Sequence, residues 1–102
     1  MLIEGNESNF NQLVNNDLVL VDFFAEWCGP CRMLEPVLDD VANDRSDFDI
    51  VKVDIDKNRA LAQQFGVMSV PTLMIFKKGE LIETKNGFMP KELLVNWVNE
   101  HK

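Results

Sequence analysis

The sequence predicts an α/β protein with a central mixed β-sheet of four to five strands, helices on both faces, and the element order βαβαβαββα. Three observations carry this. Short β-branched and apolar runs alternate with stretches of helical periodicity. Gly and Pro residues sit at the seams between them. At 102 residues, 46% hydrophobic and 26% charged, the chain has room for one core. Residues 1–102 are therefore expected to form a single domain.

The elements follow in order. A short strand near Leu2-Ile3 leads to a helix across Phe10, Leu13 and Val14, with Ser8 placed to cap it. The apolar run from Leu18 to Ala25 is the second strand. A helix then runs to about Asn43, with Met33, Leu34, Val37, Leu38 and Val41 as its apolar face. Pro36 should kink it, because the ring removes one backbone hydrogen bond. A strand around Ile50 to Asp54 precedes a helix over roughly Arg59 to Phe65, closed by Gly66. Pro71 introduces the strand Thr72 to Phe76, and Lys78-Gly79 turns the chain into a paired strand, Leu81 to Lys85. A last helix starts near Pro90 and should bury Leu93, Leu94, Trp97 and Val98.

Charge and composition exclude several function classes. A net charge of −7 argues against nucleic acid or an anionic membrane as partner, since both need a basic surface. No apolar run approaches the ~20 residues of a membrane span. The start, Met1-Leu-Ile-Glu-Gly-Asn, lacks the basic and apolar regions of a signal peptide, so a cytoplasmic location is expected. The chain has no Gly-x-Gly-x-x-Gly run, so no bound nucleotide is expected.

Both cysteines lie in one segment, Trp27-Cys28-Gly29-Pro30-Cys31, at a strand-to-helix junction. That placement reads as a dithiol redox site. A structural metal site wants four Cys or His ligands, and the chain offers two Cys and His101, so none is expected. A disulfide placed for stability would tie distant segments, because so short a loop removes only about 2 kcal/mol of unfolded-chain entropy.

Each position has a mechanism. Residues three apart on a helix have Cβ atoms about 5–6 Å apart, and a disulfide needs about 3.5–4.5 Å, so a small adjustment switches between dithiol and disulfide. Cys28 should sit at the helix N-terminus, where unpaired N–H groups and the macrodipole favour a thiolate. Pro30 suits the first turn and Gly29 lets the backbone bend. Cys28 is then the exposed nucleophile, and Cys31, one turn in, the shielded resolving thiol. Bringing a thiol's pKa from ~8.5 to neutrality multiplies its thiolate roughly 15-fold at pH 7, while intrinsic nucleophilicity falls about fivefold. Positioning should therefore matter more than thiolate population.

Over its whole length the chain resembles the thioredoxin family. The resemblance rests on Asp22, Trp27-Cys-Gly-Pro-Cys31, Pro36, Lys52, Val70-Pro-Thr72, Gly79 and Gly87. It implies a thioredoxin fold and a general protein-disulfide reductase, in which Cys28 attacks a target disulfide and Cys31 resolves the mixed disulfide. Taken alone, Asp22 fits either a strand residue turned to solvent or a buried proton carrier. The resemblance implies the second, assisting deprotonation of Cys31, with Lys52 paired to it. Taken alone, Lys52 reads as a solvent-facing strand residue.

An X-Pro bond is ordinarily trans, but the resemblance implies a cis Pro71 facing the dithiol. It also implies an apolar docking patch of Trp27, Gly29, Pro30, Val70, Pro71 and Gly87. Phe24 stands where many members carry Trp, and Asn86 and Phe88 flank Gly87 where smaller apolar residues are common. The partners implied are disulfide-containing target proteins and a separate flavin-dependent thioredoxin reductase drawing on NADPH. No bound cofactor is implied beyond the Cys28–Cys31 pair, and a monomer is expected. Two other readings remain. One is a disulfide oxidant or isomerase, and the other is a non-catalytic binding subunit of a larger enzyme.

Overall fold

The computed structural model describes residues 1–102. Five strands form one mixed sheet in the order β1-β3-β2-β4-β5. They are β1 (Leu2–Glu4), β2 (Val19–Phe24), β3 (Asp49–Asp54), β4 (Thr72–Lys77) and β5 (Glu80–Asn86). The helices are α1 (Phe10–Leu13), α2 (Gly29–Asp44), α3 (Arg59–Gln64) and α4 (Lys91–Asn99). β1 and β2 flank β3 in parallel, while β4 runs antiparallel to both β2 and β5. The Lys78-Gly79 turn between β4 and β5 has positive φ at both residues, 52° and 85°. Positive φ at both central positions matches the right-handed twist of a tight hairpin.

Alternation along the central strands separates two cores. Leu20, Ile50, Leu73 and Ile75 point to the face covered by α2 and α4, where they meet Leu34, Leu38, Val41, Leu94, Trp97 and Val98. Val19, Val21, Phe23, Val51, Val53, Met74 and Phe76 point to the other face, against Phe10, Val14 and Leu61. Phe10, Phe23, Phe65 and Phe76 form an aromatic cluster there, with ring centroids 5.3–6.2 Å apart. Each fully buried Leu, Ile or Phe contributes about 1.5–3 kcal/mol through removal from water. The buried indole of Trp97 keeps its N–H satisfied by donating to Glu83 Oε1 at 2.8 Å.

Two local expectations change, and α2 continues past its internal proline. Met33 and Leu93 are exposed, at 61% and 57%. Each precedes a buried residue, Leu34 or Leu94, by one position, and one helical step of about 100° carries it off the apolar stripe. Ser8 does not cap α1. Asn6 organises that turn instead, its Oδ1 accepting from Ser8 N–H, Ser8 Oγ and Asn9 N–H at 2.7–3.0 Å. α2 runs through Pro36 as one helix of 16 residues. Leu34 before the proline and Leu38 and Val41 after it pack into the same core.

Candidate active site

The end of β2 and the start of α2 build the site. Cys28 is the N-cap of α2, with extended backbone, and its Sγ accepts the Cys31 N–H at 3.2 Å. Gly29 and Pro30 occupy the first helical positions, where the missing proline N–H costs nothing. The two cysteines are joined as a disulfide, with Cα atoms 5.2 Å apart. A backbone N–H aimed at a sulfur on a helix N-terminus stabilises negative charge there once the pair is reduced.

The expected contrast between an exposed Cys28 and a shielded Cys31 is absent. Their exposures are 4% and 3%. Cys28 is covered because the pair packs with Ala25 against Phe24, Ile55 and Val70. The two sulfurs differ in their polar neighbours instead. Cys28 Sγ meets the Cys31 N–H and lies 3.6 Å from the Val70 carbonyl oxygen, which its thiol can reach as a donor when reduced.

The residues expected around the dithiol fall into two groups. Trp27 is 68% exposed, and its Nε1 donates to Asp56 Oδ2 at 2.9 Å. Gly29 and Pro30 are also exposed, Val70 and Gly87 are half-buried, and Pro71 is buried. Pro71 therefore adds little surface beside the dithiol. The Val70–Pro71 bond is cis, and the Pro71 carbonyl accepts the Gly87 N–H at 2.8 Å. Thr72 Oγ1 donates to the Ser69 carbonyl at 2.6 Å and lies 3.0 Å from the Asn86 side-chain amide. The Ser69 carbonyl and Asn86 Oδ1 are both acceptors, so they share the single Thr72 hydroxyl proton. Asn86 thus ties the end of β5 to the Ser69–Pro71 loop.

Asp22 sits on β2, on the face that α2 covers, in register with Lys52 of β3 and Leu73 of β4. It is 1% exposed, and its Oδ1 has no hydrogen-bond partner. Burial raises its pKa from 3.8 to about 7; Lys52 opposes the rise and Glu35 adds to it. Lys52 does not form an ion pair with Asp22. Its Nζ lies 3.8 Å from Glu35 Oε1 and 4.5 Å from the centre of the Phe24 ring. The Lys52 side chain is largely covered, and its ammonium turns to the half-exposed Glu35 carboxylate and the Phe24 face instead of to Asp22.

Glu35 and Asp56 lie at the site and were missed by sequence reasoning, whereas Asn86 was noticed beside Gly87 but not its tie to Thr72. Glu35 had one available signal, its i, i+4 spacing from Cys31. His101, weighed as a metal ligand, lies away from the dithiol, its Nε2 2.6 Å from Glu83 Oε1.

Comparison with known proteins agrees with this geometry. The thioredoxin family model matches residues 1–100. Thioredoxin from Bacillus subtilis (strain 168) is 44% identical over 101 residues, covering 98% of this chain and 97% of its own. Thioredoxin from Listeria monocytogenes is 46% identical over 102 residues, covering 99% of each. Among solved structures, a mutant thioredoxin from Halobacterium salinarum NRC-1 superposes with a TM-score of 0.88 at 38% identity. It covers 99% of this chain and 88% of its own. No helix here is long and apolar enough to cross a membrane. With its fold, its paired cysteines and its relatives in agreement, this chain belongs to the thioredoxin family and is a protein-disulfide oxidoreductase.

Proposed function

We propose that residues 1–102 act as one domain, a monomeric general protein-disulfide reductase of the cytoplasm. Reduction begins when the Cys28 thiolate attacks one sulfur of a target disulfide. The target S–S bond breaks, one target sulfur leaves as a thiolate and takes a proton from solvent, and a mixed disulfide forms. Cys31 then gives its proton to the Asp22 carboxylate and attacks Cys28 Sγ. The mixed disulfide breaks and the second target thiol is released. The target has gained two electrons, and Cys28–Cys31 is oxidised. A separate flavin-dependent thioredoxin reductase drawing on NADPH returns the electrons.

The observation that carries this reading is Asp22. It is a buried carboxyl, unpartnered at Oδ1, on the α2-facing side of β2, with a pKa of about 7. A carboxyl raised this far by burial can both take and return a proton near neutral pH. Lys52 moderates that basicity from β3. Targets dock on Trp27, Gly29, Pro30, Val70, Pro71 and Gly87, with the Val70 backbone beside the exchanging sulfur.

The test is capture. Reduced Cys31→Ser, mixed with a disulfide-containing target, should accumulate a covalent adduct through Cys28, visible by intact mass and on a non-reducing gel. Cys28→Ser should form none. Turnover by Cys31→Ser at the wild-type rate would contradict the two-thiol sequence.

A further inference from the structure

Lys52 faces Asp22 in direct register across the β2–β3 ladder. Its ammonium is engaged elsewhere, 3.8 Å from Glu35 Oε1 and over the Phe24 ring. Glu35 lies four residues beyond Cys31 on α2, so the two share a helix face. The groups facing Asp22 are therefore few. The charged groups acting on it are Lys52 from β3 and Glu35 from α2, and its β4 neighbour is the buried apolar Leu73.

A carboxylate that pairs with an ammonium becomes a poor base, because the pair favours its charged form. Asp22 escapes direct pairing, since its Oδ1 is orphaned and the Lys52 ammonium, which still opposes the rise of its pKa from a distance, binds another acid. We propose that Glu35 is a positioning residue for the exchange reaction, holding the Lys52 ammonium away from Asp22 and so keeping that carboxyl basic enough to take the Cys31 proton. This rests on the reading of Asp22 as the base for Cys31.

Two effects of Glu35 act with one sign. Its own negative charge disfavours ionisation of Asp22, and its attraction for Lys52 keeps the opposing positive charge at a distance. The Glu35 side chain is 53% exposed, so water and salt screen it. Burial remains the larger cause of the Asp22 shift, and Glu35 adjusts it.

The experiment is a ¹³C-carboxyl NMR titration of Asp22 in the reduced full-length chain. Glu35→Gln should lower the Asp22 midpoint by about half a pH unit, with a smaller shift at high salt. The pH profile of disulfide exchange should move in step. Glu35→Asp, which keeps the charge, should restore most of the wild-type value. Lys52→Gln should raise the midpoint. In that background Glu35→Gln should have less than half its effect, because there is no ammonium left to hold.

An unchanged or raised midpoint in Glu35→Gln overturns the proposal. So does an equal drop with and without Lys52, which would mean direct repulsion alone. Asp22→Asn separates the two readings. If it exchanges at the wild-type rate while the Glu35→Gln shift persists, Asp22 is not the base and only the electrostatic link stands. If it exchanges slowly while Glu35→Gln shifts nothing, the Glu35 inference alone fails.

Discussion

Asp22 and Asp54 lie on neighbouring strands, on the same face of the sheet and two rungs apart in the β2–β3 ladder. Both are buried, at 1% and 9% exposure. Their surroundings differ. Asp54 Oδ1 accepts the backbone N–H of Asp56 at 2.8 Å and of Lys57 at 3.3 Å. Its carbonyl oxygen accepts from the backbone and side chain of Asn58 at 3.0 and 3.1 Å. Asp22 Oδ1 accepts nothing. A buried carboxylate with N–H donors organises a turn, in this case the one that carries Asp56 to the Trp27 indole. A buried carboxylate without them becomes a place to keep a proton.

The largest consequence is for stability against pH. The folded-state pKa of Asp22, about 7, lies above the 3.8 of an unburied carboxyl. Between those values the folded protein holds a proton that the unfolded chain has released. Stability therefore falls as pH rises from about 4 to 7, and the penalty is complete above 7. Roughly three pH units at about 1.4 kcal/mol apiece give a cost of about 4 kcal/mol. Asp22→Asn removes it. Denaturant unfolding of the oxidised protein should show the variant gaining up to about 4 kcal/mol on wild type between pH 4 and pH 8. A gain that does not change with pH would break the contrast between the two acids.

The smaller consequence has the opposite sign. Asp54→Ala leaves the Asp56 and Lys57 N–H groups without an acceptor, at a cost of about 1–3 kcal/mol. Unfolding at pH 6 and pH 8 should show a loss of similar size at both. A stabilising Asp54→Ala would mean that the turn donors find water as readily as the carboxylate.

The sheet was legible in the sequence because the central strands alternate so regularly. Leu18, Leu20 and Ile50 on one face, with Val19, Val21 and Val51 on the other, leave one register that buries both sets. Helix edges were less legible. A 3.6-residue period places Met33 and Leu93 near an apolar stripe but cannot say that each falls one step outside it. The dithiol was visible from its own spacing, and Asp22 from its interruption of an apolar strand. That both cysteines are equally buried was not visible, since part of their cover comes from Ile55 and Val70, which are distant in sequence. Glu35 and Asp56 were hidden for a related reason. An exposed acid on an acidic chain resembles any solvated charge until Lys52, 17 residues on, or Trp27, 29 residues back, is brought against it.

If Asp22 moves the Cys31 proton, single-turnover exchange will register it. Reduced wild type and Asp22→Asn would each be mixed with a target disulfide from pH 5 to 9, following release of reduced target. Wild type should show an inflection near pH 7, and the variant a slower release without that inflection. Superimposable profiles, in rate and in inflection, would contradict that role for Asp22.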